Sequence, residues 1–171
     1  MHTHPMTVTA SISPAGLPCA CTTLRKASRA VARLYEGHLA HAGLSATQFA
    51  ILRALERGGT RNLRPLADEL VMERTSLYRA IAPLERSGLV VIEADAGDAR
   101  AQRAALTTAG RERIAAALPH WEAAQRTFVE GFGTGDYGGF IEELRHAIAQ
   151  VEPAARGRAG AGPDPDFGAD R

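Results

Sequence analysis

Two short amphipathic segments joined by a tight turn, with a β-rich hairpin directly behind them, constrain this chain more than any other feature. Asn62 stands as N-cap to a short helix over Leu63–Leu70. Pro65 lies in its first turn, where a missing N–H costs little. Val71-Met72-Glu73 is a turn. The next helix covers Arg74–Ser87, and Gly88 stops it. At about 100° per residue, Leu77, Ile81 and Leu84 fall in one narrow arc and mark a buried face. Thr75, Arg79, Ala82 and Arg86 fall opposite, flanked by Ser76 and Tyr78. Then come the β-rich run Leu89–Glu93, a polar turn Asp95-Ala96-Gly97-Asp98 and a returning strand over Gln102–Leu106. Helix, turn, helix and hairpin in this order predict a winged helix-turn-helix.

Helical periodicity continues on both sides. Leu24, Ala27, Val31, Leu34 and His38 make one stripe on a helix over Thr22–Ala42, ended by Gly43. Ser45 and Gln48 form a capping box for a second helix, with Leu44 stapled onto Phe49. Phe49, Leu52 and Leu55 are its apolar face, and Gly58-Gly59 its end. A long helix over Thr108–Phe132 carries Pro119 as a kink. Gly133-Thr134-Gly135-Asp136 separates it from a last helix bearing Phe140, Ile141, Leu144, Ile148 and Val151. The fold class is therefore mainly α with a small β-hairpin wing. Residues 1–18 read as a flexible arm, 19–152 as one domain with its winged lobe at about 45–107, and 153–171 as a disordered tail.

Composition narrows the function less than the pattern does. With 171 residues, 45% hydrophobic, the chain builds a sizeable core. It has no apolar run of the ~18 residues a membrane helix needs. It also lacks a basic region followed by an apolar stretch, so the expectation is a cytoplasmic protein without a membrane partner. A net charge of +1 does not mark a nucleic-acid binder. The kind of cation is more telling: among 20 basic residues Lys26 is the only lysine, and arginine suits bidentate contacts to phosphate and guanine. Cys19 and Cys21 cannot supply a four-ligand zinc site, and a reducing cytosol disfavours a structural disulfide. His38 and His41 lie one turn apart with no carboxylate or thiol arranged beside them, so no metal or cofactor is expected. There is no Gly-rich phosphate loop, no His-Glu-x-x-His and no nucleophile elbow, which points away from an enzyme.

The polar face of Arg74–Ser87 pairs hydroxyls with arginines, the groups that reach base edges and phosphates in a major groove. At the hairpin tip Arg100 and Arg103 are placed for a minor groove or flanking phosphates, with Asp98 two residues away to orient Arg100. The run Met72–Arg79, continuing Pro83-Leu84-Glu85-Arg86-Ser87-Gly88-Leu89-Val90, resembles the recognition-helix region of the MarR family. The run Asp98-Ala99-Arg100, followed by a strand and Leu106-Thr107-Thr108-Ala109-Gly110, resembles that family's wing. The resemblance covers about residues 19–151. It implies a homodimeric transcription regulator, most often a repressor, whose helices at about 22–42 and 108–151 form the dimerisation layer. Two recognition helices then enter successive major grooves of a pseudo-palindromic duplex DNA operator. It assigns base and phosphate contacts to Arg74, Thr75, Ser76, Tyr78 and Arg79, and a minor-groove contact to Arg100.

The resemblance also implies a small phenolic or anionic effector between dimer layer and DNA lobe, shifting the population of lobe arrangements. Arg25, Arg29, Tyr35 and His38 are the residues offered for that crevice. The segment Cys21–Arg29 is similar to the first helix of the organic-hydroperoxide-sensing branch, where a cysteine at this point is oxidised. Tyr35 matches one of that branch's tyrosines, whereas Arg25 and Ala46 stand at others. A redox regulator using Cys21, with Cys19 beside it, is the alternative reading. A thiol-dependent peroxidase is the rival from a different class, and it would need a resolving thiol and a substrate cleft.

Overall fold

The computed structural model describes residues 17–95, 97–98, 101–132 and 137–159. In chain order these form α1 (Ala20–Leu39), a 3-10 turn (Ala40–Ala42), α2 (Ala46–Gly58), β1 (Arg61–Asn62), α3 (Leu63–Glu69), α4 (Arg74–Arg86), β2 (Val90–Ala94), β3 (Gln102–Leu106), α5 (Thr108–Phe132) and α6 (Tyr137–Ala159). The fold is mainly helical, with a three-stranded antiparallel sheet in the order β1-β3-β2. The strand β1 is absent from the sequence reading. Its two residues, Arg61 and Asn62, pair with Ala104 and Arg103, a length too short to leave a periodic signal.

Local chemistry explains most boundaries. Ser45 accepts from the Gln48 N–H at 3.1 Å, while Gln48 Oε1 accepts from the Ser45 N–H at 2.9 Å. This completes the capping box that starts α2. Asn62 does precede α3, yet its side chain makes no capping bond. Its buried Oδ1 has no partner, because the side chain joins the wall of a crevice beside the wing. At the end of α4 the Leu89 N–H returns to the Leu84 carbonyl and the Gly88 N–H to Glu85. Gly88 takes φ +68°, the left-handed conformation this cap needs. The end of α3 uses the same two bonds, Met72 to Ala67 and Val71 to Asp68. There the left-handed position, φ 52°, falls on a half-exposed valine, which no glycine signal announces. The helix α5 runs on through Pro119, and α6 continues through Pro153 to Ala159, past the end at Val151 read from the pattern.

One core sits between the layers. Leu77, Ile81 and Leu84 of α4 are buried against Leu52 and Leu55 of α2, Leu66 of α3, Val90 and Ala104 of the sheet, and Ile114 and Ala117 of α5. Each fully buried aliphatic side chain contributes about 1.5–3 kcal/mol relative to exposure. The α4 arc is thus pinned inward, and its opposite face is held outward as a rigid surface. Thr107 couples the hairpin to α5. Its hydroxyl lies 2.7 Å from the Gly88 carbonyl and accepts from the Gly110 N–H at 3.0 Å. Gly110 is required by approach rather than torsion: a Cβ there would stand 2.1 Å from the Leu89 carbonyl oxygen.

Candidate nucleic-acid interface and effector cavity

Burial of Leu77, Ile81 and Leu84 leaves Arg74, Thr75, Ser76, Tyr78, Arg79 and Arg86 exposed on α4. The first turn of α4 holds no acidic residue, and its N-cap Glu73 makes no capping bond. A polar crevice of about 400 Å³ opens between this end of α4, α3 and the hairpin. Arg74, Tyr78 and Asp98 line it together, joined by Arg64, Gln102 and Asn62, which the sequence reading did not select. Only the packing of α3 against the hairpin gathers them, so no spacing rule reveals them. Arg86 stands at the far end of α4, away from the crevice. Arg100 lies outside the described residues, and with it the suggested Asp98–Arg100 pair. Arg103 is tied to Asp95, its Nε 3.4 Å from the carboxylate.

A second cavity, about 610 Å³ and walled mainly by apolar side chains, lies between α1, α2 and α5. Its size matches that of small-molecule sites. Tyr35, Leu39, Phe49 and Trp121 form its floor and sides, with Phe49 and Trp121 stacked at 6.2 Å. Arg53 and Arg57 stand on its lining. Arg53 pairs with Glu56, and Arg57 shares Glu69 with Arg61. Of the four residues offered from sequence, Tyr35 lines this cavity, whereas Arg25, Arg29 and His38 do not. Arg53, Arg57, Phe49 and Trp121 were missed because α2 and α5 reach the site only through tertiary packing. The Tyr35 hydroxyl donates to Gln125 Oε1, and Gln125 Nε2 donates to the Tyr137 hydroxyl at 2.6 Å. Burial, reinforced by neighbouring Tyr137, pushes the Tyr35 phenol above its ordinary value and keeps it neutral.

Cys19 occupies the N-cap position of α1, and Cys21 lies in its first turn; both are exposed. Hydrogen bonds from the Thr22 backbone and side chain hold the Cys19 thiol below its ordinary range. His41 stacks on His120 with ring centres 5.6 Å apart. Among the described residues, no three His, Cys, Asp or Glu side chains gather as a metal site, and no helix is long and apolar enough to cross a membrane.

Residues 42–101 match the model of the MarR family. The crystal structure of the Mycobacterium tuberculosis transcriptional regulator MosR in complex with DNA is 34% identical to this chain and has a TM-score of 0.68. The match covers 82% of this chain and 98% of that one. This chain belongs to the MarR family. Another relative is the transcriptional regulator HosA of Escherichia coli O157:H7, 28% identical over an alignment of 130 residues that covers 72% of this chain and 96% of HosA. Bordetella bronchiseptica BpsR, whose DNA binding is regulated by 6-hydroxynicotinic acid, shares the fold at 21% identity and TM-score 0.68, covering 74% and 96% of the two chains. MarR membership makes the chain a winged-helix transcription regulator and accounts for the Leu106–Gly110 motif, whose threonine and glycine weld the hairpin to α5.

Proposed function

We propose that this MarR protein is a cytoplasmic homodimeric repressor that binds a pseudo-palindromic operator and is released by a small ligand. The observation that carries the DNA reading is the α4 face: Arg74, Thr75, Ser76, Tyr78 and Arg79 project together from a helix pinned by three buried residues. These side chains contact base edges and phosphates in the major groove, with Arg86, Asp98, Arg100 and Arg103 acting at the flanks and wing. The crystal structure of MosR in complex with DNA supports the DNA-binding reading. Dimerisation is supported by apolar surface left exposed among the described residues. Leu24 on α1 and Ile148 and Val151 on α6 are exposed, whereas the start of α6 is packed, with Tyr137 and Phe140 against Phe128. The effector occupies the α1–α2–α5 cavity, as a small aromatic acid governs BpsR. Binding there biases the angle between dimer layer and lobe.

A mobility-shift titration on the intergenic DNA beside the gene tests this reading. Arg79→Ala weakens binding by about 1–3 kcal/mol, concentrated on the preferred sequence. Normal binding by that variant would remove α4 as the reading element.

A second reading keeps the DNA-binding role and replaces the ligand with oxidation. Two free, exposed thiols at the start of α1, Cys19 and Cys21, favour it. A Cys19 thiolate attacks an organic hydroperoxide, giving a sulfenic acid and the alcohol. A second thiol then displaces water to form a disulfide.

A further inference from the structure

The hairpin that forms the wing is closed by one carboxylate. Asp95 Oδ1 accepts from the Gly97 N–H at 2.9 Å and from the Asp98 N–H at 3.2 Å. Asp95 Oδ2 meets Arg103 Nε at 3.4 Å. The Asp95 N–H donates to the Ala101 carbonyl, and the Ala101 N–H to the Asp98 carbonyl, both at 2.8 Å. Asp95 is thus bonded to both sides of the tip by backbone and side chain together. Its side chain is 19% exposed, in contrast to the open surroundings of Gly97 and Asp98.

This placement is unfavourable on charge alone. A wing that approaches phosphate gains nothing from an acid, and removing one strengthens binding by reducing repulsion. The carboxylate is placed where its acceptor geometry matters. Two backbone N–H groups converge on one oxygen, fixing the turn as an Asx-type loop. The other oxygen sets the direction of Arg103 and leaves its Nη edge for a partner.

We propose, resting on the DNA-binding reading above, that Asp95 is a positioning residue for the wing. It touches no DNA. It holds the backbone at Gly97 and Asp98 before binding and aims Arg103, so these residues dock without first losing conformational freedom. The role is the one the sequence suggests for Asp98 toward Arg100, a pair outside the described residues; Asp95 supplies it for Arg103.

Asp95→Ala and Asp95→Asn separate this role from simple electrostatics. Asparagine keeps an acceptor oxygen at Oδ1 and removes the charge; alanine removes both. Two measurements are made on the full-length protein: mobility shift on the intergenic duplex across a salt series, and hydrogen exchange of the peptide covering residues 95–106. Asp95→Ala is expected to bind about five- to tenfold more weakly at fixed salt, because tip ordering is then charged to binding, with the slope of log K against log salt unchanged. Exchange at residues 97 and 98 rises about tenfold in the same variant as their bonds to the carboxylate are lost. Asp95→Asn restores both to within about threefold of wild type, since its amide oxygen also closes Asx turns. Equal or tighter binding by Asp95→Ala would overturn the proposal and leave only charge repulsion. Unchanged exchange would overturn it independently of DNA. A wild-type protein that fails to shift the duplex removes the DNA-binding reading itself, and the docking role with it.

Discussion

Gly110→Ala isolates the contact that welds the wing hairpin to α5. The added Cβ would lie 2.1 Å from the Leu89 carbonyl oxygen and 3.0 Å from Leu106 Cδ2. The first of these is backbone, so rotating a side chain does not relieve it. Either α5 backs away from the start of β2 or the 88–89 turn shifts. Overpacking of this kind costs about 1–3 kcal/mol. Displacing the Leu89 carbonyl also weakens its bonds from the Thr107 N–H and hydroxyl, each 3.2 Å long and worth about 1 kcal/mol. Against this, alanine gains about 1 kcal/mol over glycine within a helix. The net expectation is a loss of about 2 kcal/mol, which lowers Tm by about 4–8 °C for a chain of this size. Thermal melts at one fixed protein concentration measure it, because association with a second copy also moves Tm. Gly37→Ala is the control. It lies within α1 with nothing inside 4 Å of its Cβ position, so the propensity gain acts alone there and raises stability by about 0.5–1 kcal/mol. If Gly110→Ala melts at or above wild type, the close approach is not a constraint and the account of the Leu106–Gly110 motif is wrong.

Val71→Gly should stabilise the protein by about 0.5–1 kcal/mol in urea unfolding. It relieves a left-handed β-branched residue costing about 1–2 kcal/mol and gives back part of that in chain entropy. Loss of stability on that change would mean the half-exposed valine packs more than its surface indicates. Cys19→Ser should abolish release of the duplex by cumene hydroperoxide if oxidation is the signal. Equal release by wild type and variant would eliminate Cys19 as the sensor.

The readable part of this protein is the part whose signals are local. Leu77, Ile81 and Leu84 recur at helical spacing, so the buried arc of α4, and hence the face left exposed, follows from the order of residues. Ser45 and Gln48 mark the start of α2 because both halves of the capping box lie within one turn. Gln102–Leu106 has the same bounds in sequence and structure, since Thr107 ends the strand and starts α5.

Long-range partnerships were hidden. Asn62 has the right identity for an N-cap, yet its place in a two-residue strand and a crevice wall takes its side chain elsewhere. Asp95 and Asp98 are the same residue type three positions apart, and only the hairpin's folded path puts one of them against Arg103. The cavity shows this most clearly. Arg25 and Arg29 share the α1 pattern with Tyr35, but the walls are completed by Phe49, Arg53 and Trp121 from two other helices. Periodicity along one chain segment determines which face of a helix is buried. Which residues meet across a cavity or a hairpin tip depends on how those faces dock, and that was decided only by tertiary packing.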